Sequence, residues 1–309
     1  MSNLKAVLVG INNYKGNGDL NGCVNDVLYM RDILRQKYKV EESDIRVIVD
    51  QYATTEAIEE RIAWLIAQSN TTKNLVFWYS GHGTQVPNQD YADIEDDGMD
   101  ELICPHDFDF RGRYITDDVI RKLITSLNPA AKLTMVFDCC HSGSITRELT
   151  FNNPIPYKNR YLPPPPDLLC RSKNVDATAL VHKDENRLFD SFGLFREELF
   201  WDIDGKFGPE RGLNYKKRSA MIDVGKELNV VAITGCKDNQ TSADAHFYNR
   251  YQGALSFALQ KCLIEDPCLP ASELHRRTLG IIKKFGFEQE PVLATDKEVF
   301  NGQPFICAD

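Results

Sequence analysis

Residues 5 to 11, Lys-Ala-Val-Leu-Val-Gly-Ile, form an almost unbroken apolar run, the pattern of a strand buried on both faces. The same texture returns at Ile45 to Val49, Asn74 to Tyr79 and Lys132 to Phe137. The stretches between carry the 3.6-residue period of amphipathic helices, over 24–37, 55–69 and 116–127. Alternation of the two patterns predicts an α/β fold with a mostly parallel central sheet and helices on both faces. Thr54 or Thr55 can cap the second helix, and Thr116 followed by Asp117 and Asp118 puts carboxylates at the positive end of the third. A fifth apolar run at Asn229 to Thr234, helices over 252–264 and 272–285, and a last strand at Pro291 to Ala294 resume the pattern.

From 144 to 227 the pattern fails. Four consecutive prolines, Pro163 to Pro166, force extended backbone, and much of the remainder is polar. The chain thus reads as one domain, 1–309, made of a leading segment over 1–143, an insertion or linker over 144–227 and a closing segment over 228–309. Phe189, Phe192, Phe195, Leu199, Phe200 and Trp201 predict a weak amphipathic helix over 185–201, packed on its own sheet in preference to a partner.

Composition narrows the function classes. The 309 residues are 42% apolar and 26% charged, enough to bury a substantial core, and no apolar run approaches membrane-spanning length. Acids outnumber bases 45 to 36, for a net charge of −9. No basic footprint for nucleic acid or an anionic membrane is present, and a cationic ligand is the natural partner. The nine cysteines are an odd number without paired CxxC spacings, which argues against a disulfide framework or a structural zinc site. With no secretory signal ahead of the first strand, the expected location is the reducing cytoplasm.

In open parallel sheets, catalytic groups gather at the carboxyl ends of the strands. The third strand runs into Tyr79-Ser80-Gly81-His82-Gly83 and the fourth into Asp138-Cys139-Cys140-His141-Ser142-Gly143. A histidine and a cysteine are thereby delivered to one edge, where a thiolate can act as nucleophile and an imidazole as general acid and base. Singly, each would more often be a structural residue; their joint placement between glycines is what carries the reading.

These blocks, with Val9-Gly10-Ile11-Asn12, Leu20 to Asp26 and Gly235-Cys236-Lys237-Asp238-Asn239-Gln240-Thr241-Ser242-Ala243-Asp244, resemble the caspase-like cysteine peptidases, and among them the metacaspases and their prokaryotic relatives. The resemblance implies a caspase-like fold and cleavage through a thioester, with Cys140 as nucleophile and His82 as its partner. It implies an oxyanion hole from the backbone NH groups of Gly83 and Cys140. It also implies an acidic pocket of Asp26 and Asp138, lined by Cys23 and Ser80, and protein or peptide substrates cut after Arg or Lys. Two carboxylates near one thiol would raise its pKa unless a cation intervened, which agrees in sign with a receptor for a basic side chain. Asp26 also stands where it can cap the first helix. The chemistry requires no cofactor. Many relatives bind calcium, and here Asp97, Asp117 and Asp118 match, but Arg147 stands where a further acid belongs and argues against calcium activation. Basic residues of the insertion are exposed to the tethered site, so self-cleavage is expected there, after Lys217 or Arg218. The alternative class is a catalytically silent scaffold, against which the intact Cys140 and His82 argue.

Overall fold

The computed structural model describes residues 3–15, 18–87, 99–141, 155–164, 228–237, 240–295 and 297–307. In chain order its elements are β1 (Leu4–Gly10), α1 (Cys23–Lys37), β2 (Ile45–Val49), α2 (Thr55–Gln68), β3 (Asn74–Ser80), β4 (Gly83–Pro87), β5 (Met99–Ile103), β6 (Ile115–Thr116), α3 (Asp117–Ile124), β7 (Lys132–Asp138), β8 (Tyr157–Asn159), β9 (Val230–Thr234), β10 (Ala243–Phe247), β11 (Arg250–Gly253), α4 (Ala254–Glu265), α5 (Ala271–Lys284) and β12 (Val292–Thr295).

Six strands form the central sheet in the order β12-β9-β7-β3-β1-β2. All neighbours are parallel except β12, which runs antiparallel to β9. The apolar runs are continuous because each strand feeds two cores. Along β1, Val7 and Val9 face a core shared with Ile58, Ile62 and Leu65 of α2 and Ile120 and Ile124 of α3. Ala6 and Leu8 face the other, with Val27, Met30 and Leu34 of α1 and Leu255, Leu259 and Leu263 of α4. Truncating a fully buried side chain such as Leu34 to alanine costs about 2–5 kcal/mol.

Register sets up the chemistry. Gly10 pairs with Ser80, and Ser80 with Asp138, so the carboxyl ends of β1, β3 and β7 finish in one row. Thr54 and Thr116 cap α2 and α3, accepting from the backbone NH of Ala57 and Val119. The third helix is shorter than its period suggests: it ends at Ile124, and Leu127 keeps its place in the core from the turn that follows, which prolongs the apolar pattern past the last helical residue.

The 144–227 stretch is not uniformly an insertion outside the fold. Its residues 157–159 form β8, which pairs antiparallel with β10 in a sheet of order β11-β10-β8. The helix expected over 185–201 and the basic residues Lys217 and Arg218 lie outside the described residues. Among the described residues no helix is long and apolar enough to cross a membrane.

Candidate active site

His82 follows β3 by two residues and is buried. Its Nε2 is hydrogen-bonded to the carbonyl oxygen of Gly18 at 2.5 Å, so Nε2 carries the proton. Nδ1 is left as an unprotonated nitrogen with no hydrogen-bond partner, the form a general base needs. Tyr14 fixes the ring from one side, its hydroxyl accepting from the His82 backbone NH at 2.7 Å and its own ring 4.8 Å away. The Tyr79 hydroxyl is bonded to the His82 carbonyl at 2.7 Å. Burial lowers the His82 pKa to about 4, so the imidazole is neutral at neutral pH.

β7 ends at Asp138 and the chain turns through Cys139, Cys140 and His141, all buried. The two cysteines have separate surroundings. Cys139 Sγ lies 3.5 Å from His141 Nε2, and His141 Nδ1 is 3.1 Å from the Leu102 carbonyl, which makes Nδ1 the donor and leaves Nε2 to accept the thiol proton. Burial pushes the Cys139 thiol well up, so it stays protonated. Cys140 Sγ accepts from the Ser242 backbone NH and lies 2.7 Å from Cys236 Sγ. No hydrogen bond joins Cys140 to His82; between them stands another residue of the chain.

That residue is Arg160. Its side chain is fully buried, with Nη2 2.8 Å from Asp26 Oδ2 and 3.0 Å from Asp244 Oδ1, and Nη1 3.2 Å from Asp138 Oδ2. Nη1 also donates to Ser80 Oγ at 2.6 Å and to the Asp138 carbonyl at 3.1 Å. Each carboxylate is held from behind. Asp26 accepts from Ser80 Oγ and the Gly253 NH, Asp138 from Ser242 Oγ and the Ser256 NH, and Asp244 from the NH groups of Asn21 and Gly22. Breaking a buried ion pair of this kind from one side costs about 3–5 kcal/mol, because a charge is left uncompensated. Burial raises the Asp26 pKa to about 7 against the opposing pull of Arg160. Cys23 lines the same space, its thiol pushed well up by burial.

The backbone of Arg160 is as firmly seated as its side chain. Its carbonyl oxygen accepts from two NH groups, Gly83 at 3.1 Å and Cys140 at 3.2 Å, and its own NH donates to the Ser242 carbonyl at 2.9 Å. On the far side the Leu162 NH donates to the Gly83 carbonyl at 3.0 Å. The site therefore brings together Cys140, His82, Gly83, Asp26, Asp138, Cys23 and Ser80 around one arginine residue.

One sequence reading changes. Asp26 does not cap α1: the residue before the helix is Gly22, the first NH groups, of Cys23 and Val24, donate to Asn12 Oδ1, and the Asp26 carboxylate is turned to Arg160 and Gly253. Of the acids matched to a calcium set, Asp97 lies outside the described residues. Asp117 and Asp118 share Arg121, at 3.0 and 2.6 Å. Of these two acids, Asp117 keeps one buried oxygen, Oδ1, without a hydrogen-bond partner, and among the described residues no three Asp, Glu, His or Cys side chains converge as a metal site. A guanidinium between the two acids does not fit a dication that asks for six to eight oxygens. Arg160, Gly18 and Tyr14 were not identified from sequence. Asp244 was visible inside its motif but was not assigned to the pocket.

A thiol and a neutral imidazole at adjacent strand ends, flanking a carbonyl held by two backbone donors, define the site of a cysteine peptidase. The metacaspase peptidase C14 domain profile matches residues 4–148. The chain is 31% identical to Metacaspase-1 of Meyerozyma guilliermondii over 305 residues, 94% of this chain and 69% of that protein. It is 29% identical to Metacaspase-1 of Schizosaccharomyces pombe, covering 88% and 62%, and 28% identical to that of Cryptococcus neoformans, covering 98% and 64%. The chain thus spans roughly two thirds of the length of these relatives. A crystal structure of a Geobacter sulfurreducens protein shares the fold over 99% of both chains, with a TM-score of 0.59 at 21% identity. The chain belongs to the metacaspase family of peptidases.

Proposed function

We propose that the protein is a cysteine endopeptidase that cuts after arginine or lysine in protein substrates, processes itself within 144–227, and works in the cytoplasm without a metal in its chemistry. The observation that carries this reading is Arg160, whose guanidinium meets three buried carboxylates while its carbonyl oxygen meets the NH groups of Gly83 and Cys140. A basic side chain and the acyl group beside it are thus accommodated together, next to the thiol.

The steps follow from the residues. His82 Nδ1 takes the proton of Cys140, and the thiolate attacks the carbonyl carbon of the residue whose side chain fills the acidic pocket. Negative charge developing on the oxygen is met by the two NH donors, an arrangement worth about 3–4 kcal/mol per donor where one has been removed in other proteases. His82 then returns its proton to the leaving amine, and water cleaves the thioester, regenerating the thiol. Arginine is favoured over lysine because a planar guanidinium can address three carboxylates at once.

The test is a peptide-library cleavage profile with the wild type and Cys140→Ala. Cleavage after Arg and Lys by the wild type alone is expected; a profile centred on aspartate, or no cleavage of any peptide, would reject the reading.

A further inference from the structure

Arg160 does not reach the pocket alone; it brings a strand. Tyr157 to Asn159 extend the small sheet by pairing with Ala245, Asp244 and Ala243 of β10, the way an extended peptide adds to an exposed edge. Each side chain before Arg160 has a seat. Asn159 Oδ1 accepts from Thr241 Oγ1 at 3.1 Å, and Lys158 Nζ donates to the Asp19 carbonyl at 2.7 Å. Tyr157 packs edge-on to Phe287, centroids 5.6 Å apart, beside an apolar cluster that includes Phe247 and Ile282. After Arg160, Leu162 packs into the core next to Gly18 and is tied to the Gly83 carbonyl.

We infer that residues 157–162 are a built-in substrate threaded through the active site, that Cys140 cuts the bond between Arg160 and Tyr161, and that the strand's seats define the peptide sequence preferred in other substrates. This rests on the peptidase reading above and deepens it. Both sides of the bond are anchored across the site, the acyl side by the Arg160 carbonyl on two NH donors and the amine side by Leu162 on Gly83. The bond is an ordinary secondary amide, with the first proline two residues beyond it. In the reaction the Cys140 sulfur bonds to the Arg160 carbonyl carbon, and the carbon–nitrogen bond to Tyr161 breaks. The Tyr161 amine leaves with the proton held by His82. Water then releases Arg160 as a carboxylate and restores the Cys140 thiol. The products are 1–160 and 161–309, and until the cut the acidic pocket is filled by the protein's own arginine. In other substrates the same seats favour an aromatic residue three positions before the arginine, to lie against Phe287.

The experiment follows the full-length wild type, Cys140→Ala, Arg160→Gln and Tyr161→Pro by intact mass and N-terminal sequencing, with the coumarin amides of Tyr-Lys-Asn-Arg and Ala-Lys-Asn-Arg as probes in trans. Tyr161→Pro guards against misfolding of Arg160→Gln, since it keeps the guanidinium on its three carboxylates and the backbone bonds of the Arg160 carbonyl and the Leu162 NH. The wild type should yield a fragment beginning Tyr161-Leu162-Pro163, at a rate independent of protein concentration because the substrate is tethered. The fragment should be absent from all three variants, and the Tyr-containing probe should be cut about tenfold faster than its Ala counterpart. An uncut 160–161 bond in a wild type that hydrolyses arginyl probes would overturn this inference and leave the peptidase reading standing, as would cleavage between positions 160 and 161 in Cys140→Ala or Tyr161→Pro. Equal rates on the two probes would remove the extended preference. Loss of both self-cleavage and probe hydrolysis would remove both readings.

Discussion

Asp26 and Arg160, 134 positions apart in the chain, meet in a fully buried ion pair, with Nη2 2.8 Å from Oδ2. Burial raises the Asp26 pKa to about 7, so this carboxyl is charged above that pH and neutral below it. That value holds with the Arg160 guanidinium in place; in a pocket emptied of it the carboxyl loses this pull and titrates higher, so a cationic side chain gains affinity as the pH rises from about 7 towards that higher value. His82, lowered to about 4, stays an unprotonated base over the same interval. For an arginyl peptide, KM should therefore fall as the pH rises above about 7, by up to about tenfold per unit until the empty pocket's Asp26 is itself ionised, and level off below about 7, while kcat stays nearly flat. In Asp26→Asn, KM should be high and independent of pH. A flat wild-type KM, or an unchanged one in the variant, would mean that Asp26 does not receive the substrate's charge.

The adjacent cysteines should separate by function. Cys140 has its NH on the Arg160 carbonyl and its thiol beside Ser242, whereas the Cys139 thiol is committed to His141 on the other side of the turn. Cys140→Ala should abolish turnover of basic peptides. Cys139→Ser should keep most of it, because a hydroxyl can donate to His141 Nε2 as the thiol does, at a stability cost of about 1 kcal/mol for the altered packing. Steady-state kinetics with equilibrium unfolding decides this, and substantial turnover by Cys140→Ala would displace the nucleophile to another residue.

The frame of the molecule was legible because its signals are local. Doubly buried strands leave unbroken apolar runs, and the residues that end β3 and β7 follow directly in sequence, so the pattern alone brings His82 and Cys140 to one edge. The pocket's occupant was not legible. Arg160 sits in a polar stretch, Tyr-Lys-Asn-Arg, whose strand character comes from pairing with β10 more than eighty residues later, and nothing in a local pattern reports a partner at that distance. The Gly18 carbonyl on His82 is a backbone contact from a loop, and a backbone acceptor has no residue-type signature. Asp26 failed as a cap for a related reason: first-turn position is a local preference, and Gly253, Ser80 and Arg160 outweigh it through tertiary contacts.

Calcium should matter little to the chemistry. Asp117 and Asp118 already hold Arg121 between them, and a dication would have to displace that guanidinium to gain their oxygens. Arginyl-peptide hydrolysis in excess chelator should retain at least about half of the untreated rate, since affinity follows the charge and number of the available ligands. A steep loss restored by calcium alone would show that acids between Asp90 and Glu101 complete a site with Asp117.

Gly253 offers a steric test of the same pocket. Its backbone, φ −71° and ψ 142°, is open to any residue, so alanine brings no torsional strain, and at a helix N-cap the change from glycine is worth only a few tenths of a kcal/mol. A Cβ there would collide with Asp138 Oδ2 and the Arg160 guanidinium. Gly253→Ala should therefore destabilise the fold by about 1–3 kcal/mol through overpacking and raise KM for arginyl peptides at least about tenfold, with a smaller effect on kcat. Gly280 is the control. It lies within α5, where an added Cβ would meet nothing within 4 Å, so Gly280→Ala should stabilise by about 0.5–1 kcal/mol through helix propensity alone and leave KM unchanged. Urea unfolding and peptide kinetics on the two variants separate the outcomes: equal effects of both substitutions, or an unaltered KM in Gly253→Ala, would mean that the carboxylates around Arg160 do not form the seat of the substrate's basic side chain.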